Sequence, residues 1–274
     1  MSLPLCEVDE GTTLAIQGDE FRKLYREAVS RVRELPNRLS SYSSPEAILE
    51  AFTVDYQTSD EFAFISTTEG GEEEVFYVHG VISETRLPPV LKGNRVSMGG
   101  LVQTVKLIAI DDDQDFRAAV SAISSLCDFF QQSVGSYIQV PYAVQHGTSR
   151  EITCVNRLLT PVHSAFPEDI ITLPRALDPS ESLKPAIDEG KFTYTKDNEV
   201  HFSKLVSNDE EDQLHFIEHI KPGTFRPGQI VNVGVSFRLI KLKTSAPMRF
   251  IAHLDSISLL SWGAKKVLVP FRRR

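Results

Sequence analysis

The sequence predicts an α+β protein, with one or two antiparallel sheets arranged as a β-barrel or sandwich and two or three helices packed against them. Two observations support this class. The segments 231–239 and 250–259 alternate apolar and polar residues, as the two strands of a long β-hairpin do. Two segments further upstream have the 3.6-residue apolar period of amphipathic helices. Since an isolated hairpin is marginal in water, other elements must cover its apolar face.

The long hairpin begins after a turn signal at residues 224–228. Its second strand follows the break at residues 244–247, and its apolar phase slips by one residue between Leu254 and Ile257. We therefore predict a β-bulge near Asp255 or Ser256. The apolar positions of its first strand are Val231, Val233, Val235, Phe237 and Leu239.

Three helices are predicted upstream. The first runs from Asp19 to Leu35 and stops before Pro36, a second short helix starts after Ser44, and a third spans residues 116–134. The polar face of the first helix is basic. It is either a binding surface for phosphate or for an acidic partner, or it is an ordinary solvated face. These basic residues are Arg22, Lys23, Arg26, Arg31 and Arg33.

Several shorter segments are predicted as strands. Residues 75–82 are apolar on both faces, which is typical of a central strand. Residues 192–194 and 200–202 flank the polar stretch 195–198 and form a hairpin candidate. Further strands are predicted at 61–66, 101–110, 137–144 and 151–159.

The chain divides into three parts by composition. Residues 1–160 are predicted to form an α+β domain with two amphipathic helices, and residues 191–274 a β-rich C-terminal part. Between them, residues 161–190 contain five prolines and are mostly a connection. The same pattern is also consistent with one continuous domain in which this connection is a long crossing loop.

Composition limits the classes of function. The chain has 29 basic and 37 acidic residues and a formal net charge of -8, which argues against a protein that coats duplex nucleic acid or an anionic membrane. The sequence has no run of 18 apolar residues and no signal-peptide pattern, so we expect no membrane contact and an intracellular location, cytoplasmic or nuclear. The three cysteines, Cys6, Cys127 and Cys154, show no paired spacing and are predicted to be buried or idle thiols.

The C-terminal part resembles a known group of sequences. The stretches 191–200, 225–231 and 254–260 are similar to a set of uncharacterised proteins common in mushroom-forming fungi. The similarity covers roughly the last 85 residues. It implies a fungal source and carries over no catalytic residue and no cofactor.

One short motif suggests a metal site. His215, Glu218 and His219 match the H-x-x-E-H pattern of inverted zinc peptidases, in which two histidines on a helix bind zinc and the glutamate is the general base. Such a site needs a third ligand, and no glutamate follows His219 in the sequence. A metal-dependent hydrolase is therefore kept only as an alternative.

A second acidic cluster follows the strand at 101–110. Asp111, Asp113 and Asp115 have the spacing that begins a calcium loop, but Phe116 and Ala122 stand where that loop needs Gly and Glu. Two interpretations remain: carboxylates that hold magnesium, or acids that cap the following helix.

The polar side of the long hairpin carries the preferred functional hypothesis. Arg238, Lys241, Lys243 and Arg249 lie near aromatic residues, which is typical of small β-barrels that hold single-stranded nucleic acid. With no complete catalytic set in the sequence, we expect a non-catalytic binding module without a cofactor. Its predicted ligand is single-stranded nucleic acid. The alternative is an interaction or structural protein that binds a protein partner.

Overall fold

The computed structural model describes residues 18–56, 62–68, 70–90, 101–110, 113–135, 138–139, 151–207, 214–241 and 247–263. This part of the chain has the predicted α+β class, with one sheet of 11 strands and a second of 2 strands. None of its helices is long and apolar enough to cross a membrane. The helices are α1 (Asp19–Ser30), α2 (Pro45–Ala51), α3 (Gln114–Val134) and α4 (Lys184–Asp188).

The strands follow the predicted segments, with additions. A strand that the sequence did not indicate, β1, starts where α2 ends. The strands are β1 (Phe52–Tyr56), β2 (Phe62–Thr67), β3 (Gly70–Glu73), β4 (Phe76–Arg86), β5 (Val102–Ile108), β6 (Ile138–Gln139), β7 (Glu151–Arg157), β8 (Thr160–Pro161), β9 (Phe192–Thr193), β10 (His201–Ser207), β11 (Leu214–His219), β12 (Ile230–Lys241) and β13 (Met248–Ser261).

The long hairpin is confirmed as β12 and β13. The two strands pair in antiparallel register from Ile230 opposite Ser261 to Lys241 opposite Met248. Gly234 pairs with Ser256 and Val235 with Leu254, so Asp255 between them has no partner residue in this ladder. The predicted β-bulge is therefore confirmed.

Both hairpin strands also pair with other strands. The order in the large sheet is β1-β2-β12-β4-β5-β7-β13-β10-β11, with β3 on β2 and β6 on β13. Because β12 and β13 also pair with each other, the pairings from β12 through β4, β5 and β7 to β13 return to β12. The central position predicted for the strand at 75–82 is confirmed, since β4 pairs with both β12 and β5.

The sheet is mixed, whereas the sequence predicts antiparallel pairing throughout. β13 runs parallel to β6, β7 and β10. Each of these strands is separated from β13 by at least one other strand in the chain, as a parallel pair requires, because a tight turn can join only antiparallel neighbours.

Both faces of the hairpin are covered. On one side lies the main core, in which Phe237 stacks on Phe250 with ring centroids 5.6 Å apart. On the other side, apolar residues of α1, including Phe21 and Val29, pack with Ile230 in a second cluster. Arg238, which alternation assigned to a polar side, is also buried, next to Glu73 and Asp197.

Local signals in the sequence correctly predicted the start of α2 and both ends of α3. The Ser44 hydroxyl accepts from the amide of Ala47, and α3 ends at Gly135 in the left-handed conformation. The Asp113 carboxylate accepts from the amide of Phe116 at 3.0 Å, which confirms the capping interpretation. α1 ends at Ser30, and residues 31–34 continue as turns rather than as the predicted helix.

The Pro-rich segment 161–190 contains only short elements. Strands from both sides of it, among them β7 and β10, belong to the same large sheet. The hairpin predicted for residues 192–202 is wrong. β9 pairs with β8 instead, and β10 pairs with β11 and β13, because a 3-10 helix at Lys196–Asn198 redirects the chain between them.

Candidate functional site

The candidate site is centred on the guanidinium group of Arg238 in β12. Its Nε and Nη2 atoms donate to the two carboxylate oxygens of Glu73, each at 2.6 Å. Its Nη1 atom donates to Asp197 Oδ1 at 2.7 Å, and its Cζ atom lies 4.9 Å from the centroid of the Phe62 ring. The side chain of Arg238 thus joins β12 to β3, to β2 and to the loop that carries Asp197.

The charges of this cluster stabilise one another. Burial alone would lower the pKa of Arg238, but the carboxylates of Asp197 and Glu73 outweigh it and hold that pKa above its usual value. Burial would likewise raise the pKa of Asp197, but the charge and the hydrogen bond of Arg238 keep it below the usual value for aspartate. Arg238 and Asp197 are therefore both charged at neutral pH.

A hydrogen-bond network fixes the position of Asp197. The side chains of Thr195 and Asn198 form a capping box around the 3-10 helix that contains it. The Asn156 amide donates to the carbonyl of Asp197 at 3.1 Å and to the carbonyl of Leu254 at 3.0 Å. The loop is thereby tied to β7 and β13, so the Asp197 carboxylate is held in place before any ligand arrives.

Two titratable residues of β13 complete the cluster. His253 Nε2 lies 3.7 Å from Asp197 Oδ1 and 3.9 Å from Asp255 Oδ1. Burial, together with the nearby Arg238, lowers the pKa of His253 to about 3, so its ring is neutral near pH 7. Burial raises the pKa of Asp255 to about 7, against the opposing charge of Arg238. Asp255 Oδ2 is buried and has no hydrogen-bond partner among the described residues.

A cavity of about 690 Å³ opens onto this cluster. Its walls hold four aromatic side chains, from Tyr56, Phe62, Phe64 and Phe166. Five acidic side chains and two basic ones also line it, so its charge is negative overall. The charged residues are Glu73, Asp169, Asp197, Glu199 and Asp255 on the acidic side and Lys196 and Arg238 on the basic side.

The fold and this site together define an α+β protein with a polar cavity. No family model, no curated protein and no solved structure matches the chain.

The described residues of the predicted basic set, Arg238, Lys241 and Arg249, do not share an exposed face, because Arg238 is buried. Arg238 is buried in ion pairs, so its guanidinium is not presented to solvent as expected for contact with a nucleic-acid phosphate. Lys241 and Arg249 are exposed near the far end of the hairpin, and Lys243 lies outside the described residues. The difference arises because Glu73 and Asp197, distant in sequence, pack over this part of β12.

The zinc-peptidase interpretation requires a helix at residues 215–219, and that prediction is wrong because the structure has a strand there. His215, Glu218 and His219 belong to strand β11, of which the backbone alone is described at 214–217. In a strand, positions three apart lie on opposite faces, whereas on a helix they lie about one turn apart on one face. The side chains of Glu218 and His219 are exposed.

The acidic cluster before α3 takes part in a different arrangement. Asp113 Oδ2 accepts a hydrogen bond from the Tyr25 hydroxyl and lies 3.1 Å from His79 Nε2. Burial would raise the pKa of Asp113, but bonds from His79 and Tyr25 lower it to about 2. Asp115 pairs with Arg38 at 2.8 Å, and Asp111 lies outside the described residues.

His79, Asp113 and Asp115 each offer a ligand atom within 4.8 Å of the others, which is close enough to consider a metal ion. Both oxygens of Asp113 already accept hydrogen bonds, Asp115 Oδ2 is paired with Arg38, and the Arg38 charge would repel a cation. The magnesium interpretation therefore gains no support from this geometry.

Two cysteines are within the described residues, and both are buried, as predicted. Burial raises the pKa of the Cys127 and Cys154 thiols to about 12. Since the thiolate is the reactive form, neither residue is suited to nucleophilic chemistry at neutral pH.

Proposed function

We propose that this protein is a non-catalytic binding module whose ligand is a small organic cation, such as a primary amine, held in the cavity beside Arg238. The observation that carries the proposal is the Asp255 carboxylate. Asp255 lines the cavity, and its Oδ2 atom is buried without a hydrogen-bond partner among the described residues. A buried, unpaired carboxylate oxygen is costly, and a cationic N–H donor in the cavity would satisfy it.

The charge of the cavity favours a cation. Its two basic residues are already paired, since Arg238 is engaged by Glu73 and Asp197, and Lys196 Nζ lies 3.5 Å from Asp169 Oδ1. These pairs leave little positive charge for an anionic ligand to contact. The remaining acidic side chains attract a cation and repel an anion.

The aromatic walls favour an organic cation over a bare metal ion. Arg238 already stacks over the Phe62 ring, which shows that the cavity wall accepts a cation against an aromatic face. Phe64 and Phe166 lie on the same cavity, and Tyr56 is half-exposed at its edge. A volume of about 690 Å³ is within the range of small-molecule sites.

We also propose that part of the large sheet closes into a small β-barrel. The circuit of pairings through β12, β4, β5, β7 and β13 supports a small β-barrel. The cavity would then lie at its outer wall, where β2 and β3 extend β12 beyond the circuit.

Single-stranded nucleic acid, the ligand predicted from the hairpin, is less well supported. Of the four residues proposed to contact it, Arg238 is occupied by two carboxylates, and the remaining described ones are Lys241 and Arg249.

Calorimetric titration with a panel of amines, each matched to a neutral compound of the same shape, tests the proposal. At least one amine should bind, its neutral match should not, and Asp255→Asn should weaken binding about tenfold, equal to about 1.4 kcal/mol. Binding should also weaken below pH 7, where Asp255 takes up a proton.

Glu46→Gln is the matched control, because Glu46 is an exposed acid on α2, outside the cavity. It should leave binding unchanged. If no amine binds, or if both variants weaken binding equally, the proposed site is wrong.

A further inference from the structure

A second cavity, of about 510 Å³, lies between α1 and the start of α3. Arg22, Arg26, Arg33 and Arg38 line it, and the buried Tyr25 and Asp113 side chains contribute to its wall. We infer that this cavity binds a small phosphorylated compound through its phosphate group. The inference is independent of the proposed cation site, since the two cavities share no lining residue.

Three of the arginines belong to one segment of the chain. Arg22 and Arg26 are four residues apart in α1, so their side chains lie on one stripe of the helix. Arg33 lines the same cavity from the turn that follows α1. Like charges one turn apart oppose helix formation, so a bound anion would relieve a repulsion built into this segment.

The acids on the wall do not cancel this positive charge. The Asp115 carboxylate is taken up by Arg38 at 2.8 Å. The side chain of Asp113 is only 8% exposed, and it already accepts hydrogen bonds from Tyr25 and from the amide of Phe116. Its charge therefore faces the protein interior more than the cavity.

Two guanidinium groups remain for a ligand. Arg26 and Arg33 are exposed, and neither side chain forms an ion pair with another described residue. A guanidinium group offers two parallel N–H donors, the geometry that matches two oxygens of a phosphate. The positive end of the α3 dipole, at the same wall, adds to the attraction.

The ligand should be small rather than a nucleic-acid strand. The volume of the cavity is within the small-molecule range. The chain carries a net charge of -8, which opposes the approach of an extended polyanion, whereas a compact phosphate needs only the local field of the arginines.

Titration with inorganic pyrophosphate at low and at high salt tests this inference. The unmodified protein should bind pyrophosphate, and added salt should weaken the binding. The double variant Arg26→Gln, Arg33→Gln should lose about tenfold or more in affinity. Both positions are exposed, and an unchanged melting temperature would show that the variant folds.

The control is the double variant Lys23→Gln, Arg31→Gln. Both residues are exposed, neither lines the cavity, and the same charge is removed from the same segment. Its affinity should stay within about twofold of the unmodified protein. The inference is overturned if pyrophosphate does not bind, or if the control loses as much affinity as the cavity variant. It is also overturned if a single-stranded oligonucleotide displaces pyrophosphate and binds more tightly, because the ligand would then be a nucleic acid.

Discussion

Arg238 and Glu73 form a bidentate ion pair inside the protein, with both N···O distances at 2.6 Å, although the two residues are 165 positions apart in the sequence. The pair joins β12 to β3, and through Asp197 it also holds the loop between β9 and β10. The cavity wall is therefore built from three parts of the chain that meet at one guanidinium group.

Glu73→Gln should destabilise the fold, because it leaves the buried Arg238 charge with Asp197 as its remaining carboxylate in the pair network. Removing one partner of a buried pair typically costs about 3 kcal/mol or more. Urea unfolding measures the change. Glu72→Gln is the control, since its side chain is exposed on the same strand and should cost less than about 0.5 kcal/mol. Equal losses of unfolding free energy in the two variants would show that the Arg238–Glu73 ion pair stabilises the fold no more than an exposed acid does.

Asp255→Asn should change the pH dependence of stability. The pKa of Asp255 is raised from its usual value of 3.8 to about 7, so the folded state holds a proton that the unfolded state releases between these values. The stability from this group is fully present below pH 3.8 and is lost as pH rises through 7. The free energy of unfolding of the variant minus that of the unmodified protein should therefore be larger at pH 8 than at pH 4, by more than about 1 kcal/mol.

Thermal unfolding from pH 4 to pH 8 measures this difference. His253 acts in the opposite direction, since its lowered pKa makes its contribution fade as pH falls below 6.5. That contribution is common to both proteins and largely cancels in the comparison. A constant difference between them across the pH range would contradict a raised pKa for Asp255.

Tyr25→Phe should destabilise the protein by about 1–2 kcal/mol at neutral pH, because it removes a buried hydrogen bond to the Asp113 carboxylate. The pKa of Asp113 is lowered to about 2, so its contribution is present above pH 3.8 and is lost as pH falls through 2. The cost of the substitution should accordingly shrink in acid.

Denaturant unfolding at pH 7 and at pH 2 measures the effect of Tyr25→Phe. Tyr42→Phe is the control, because the Tyr42 ring packs against Phe52 and Phe76 while its hydroxyl has no hydrogen bond to another described residue. If the control loses as much stability as Tyr25→Phe, the hydrogen bond to Asp113 is not the cause.

The sequence alone determined the elements that depend on near neighbours. Apolar periodicity placed β12, β13 and α3, and the slip of that period located the bulge at Asp255. Capping residues marked the helix ends, with Asp113 before α3 and Gly135 after it. These signals work because periodicity and capping arise from residues within a few positions of one another.

Tertiary structure alone decided which charges meet. Alternation assigned Arg238 to a polar face, but Glu73 and Asp197 cover it, and no local pattern marks either residue as its partner. A motif typical of helices lies in strand β11, because pairing with β10 overrides its helical spacing. The cavity at Asp255 and the arginine cavity at α1 both join elements far apart in the chain, and such long-range contacts leave no periodic signal in one sequence.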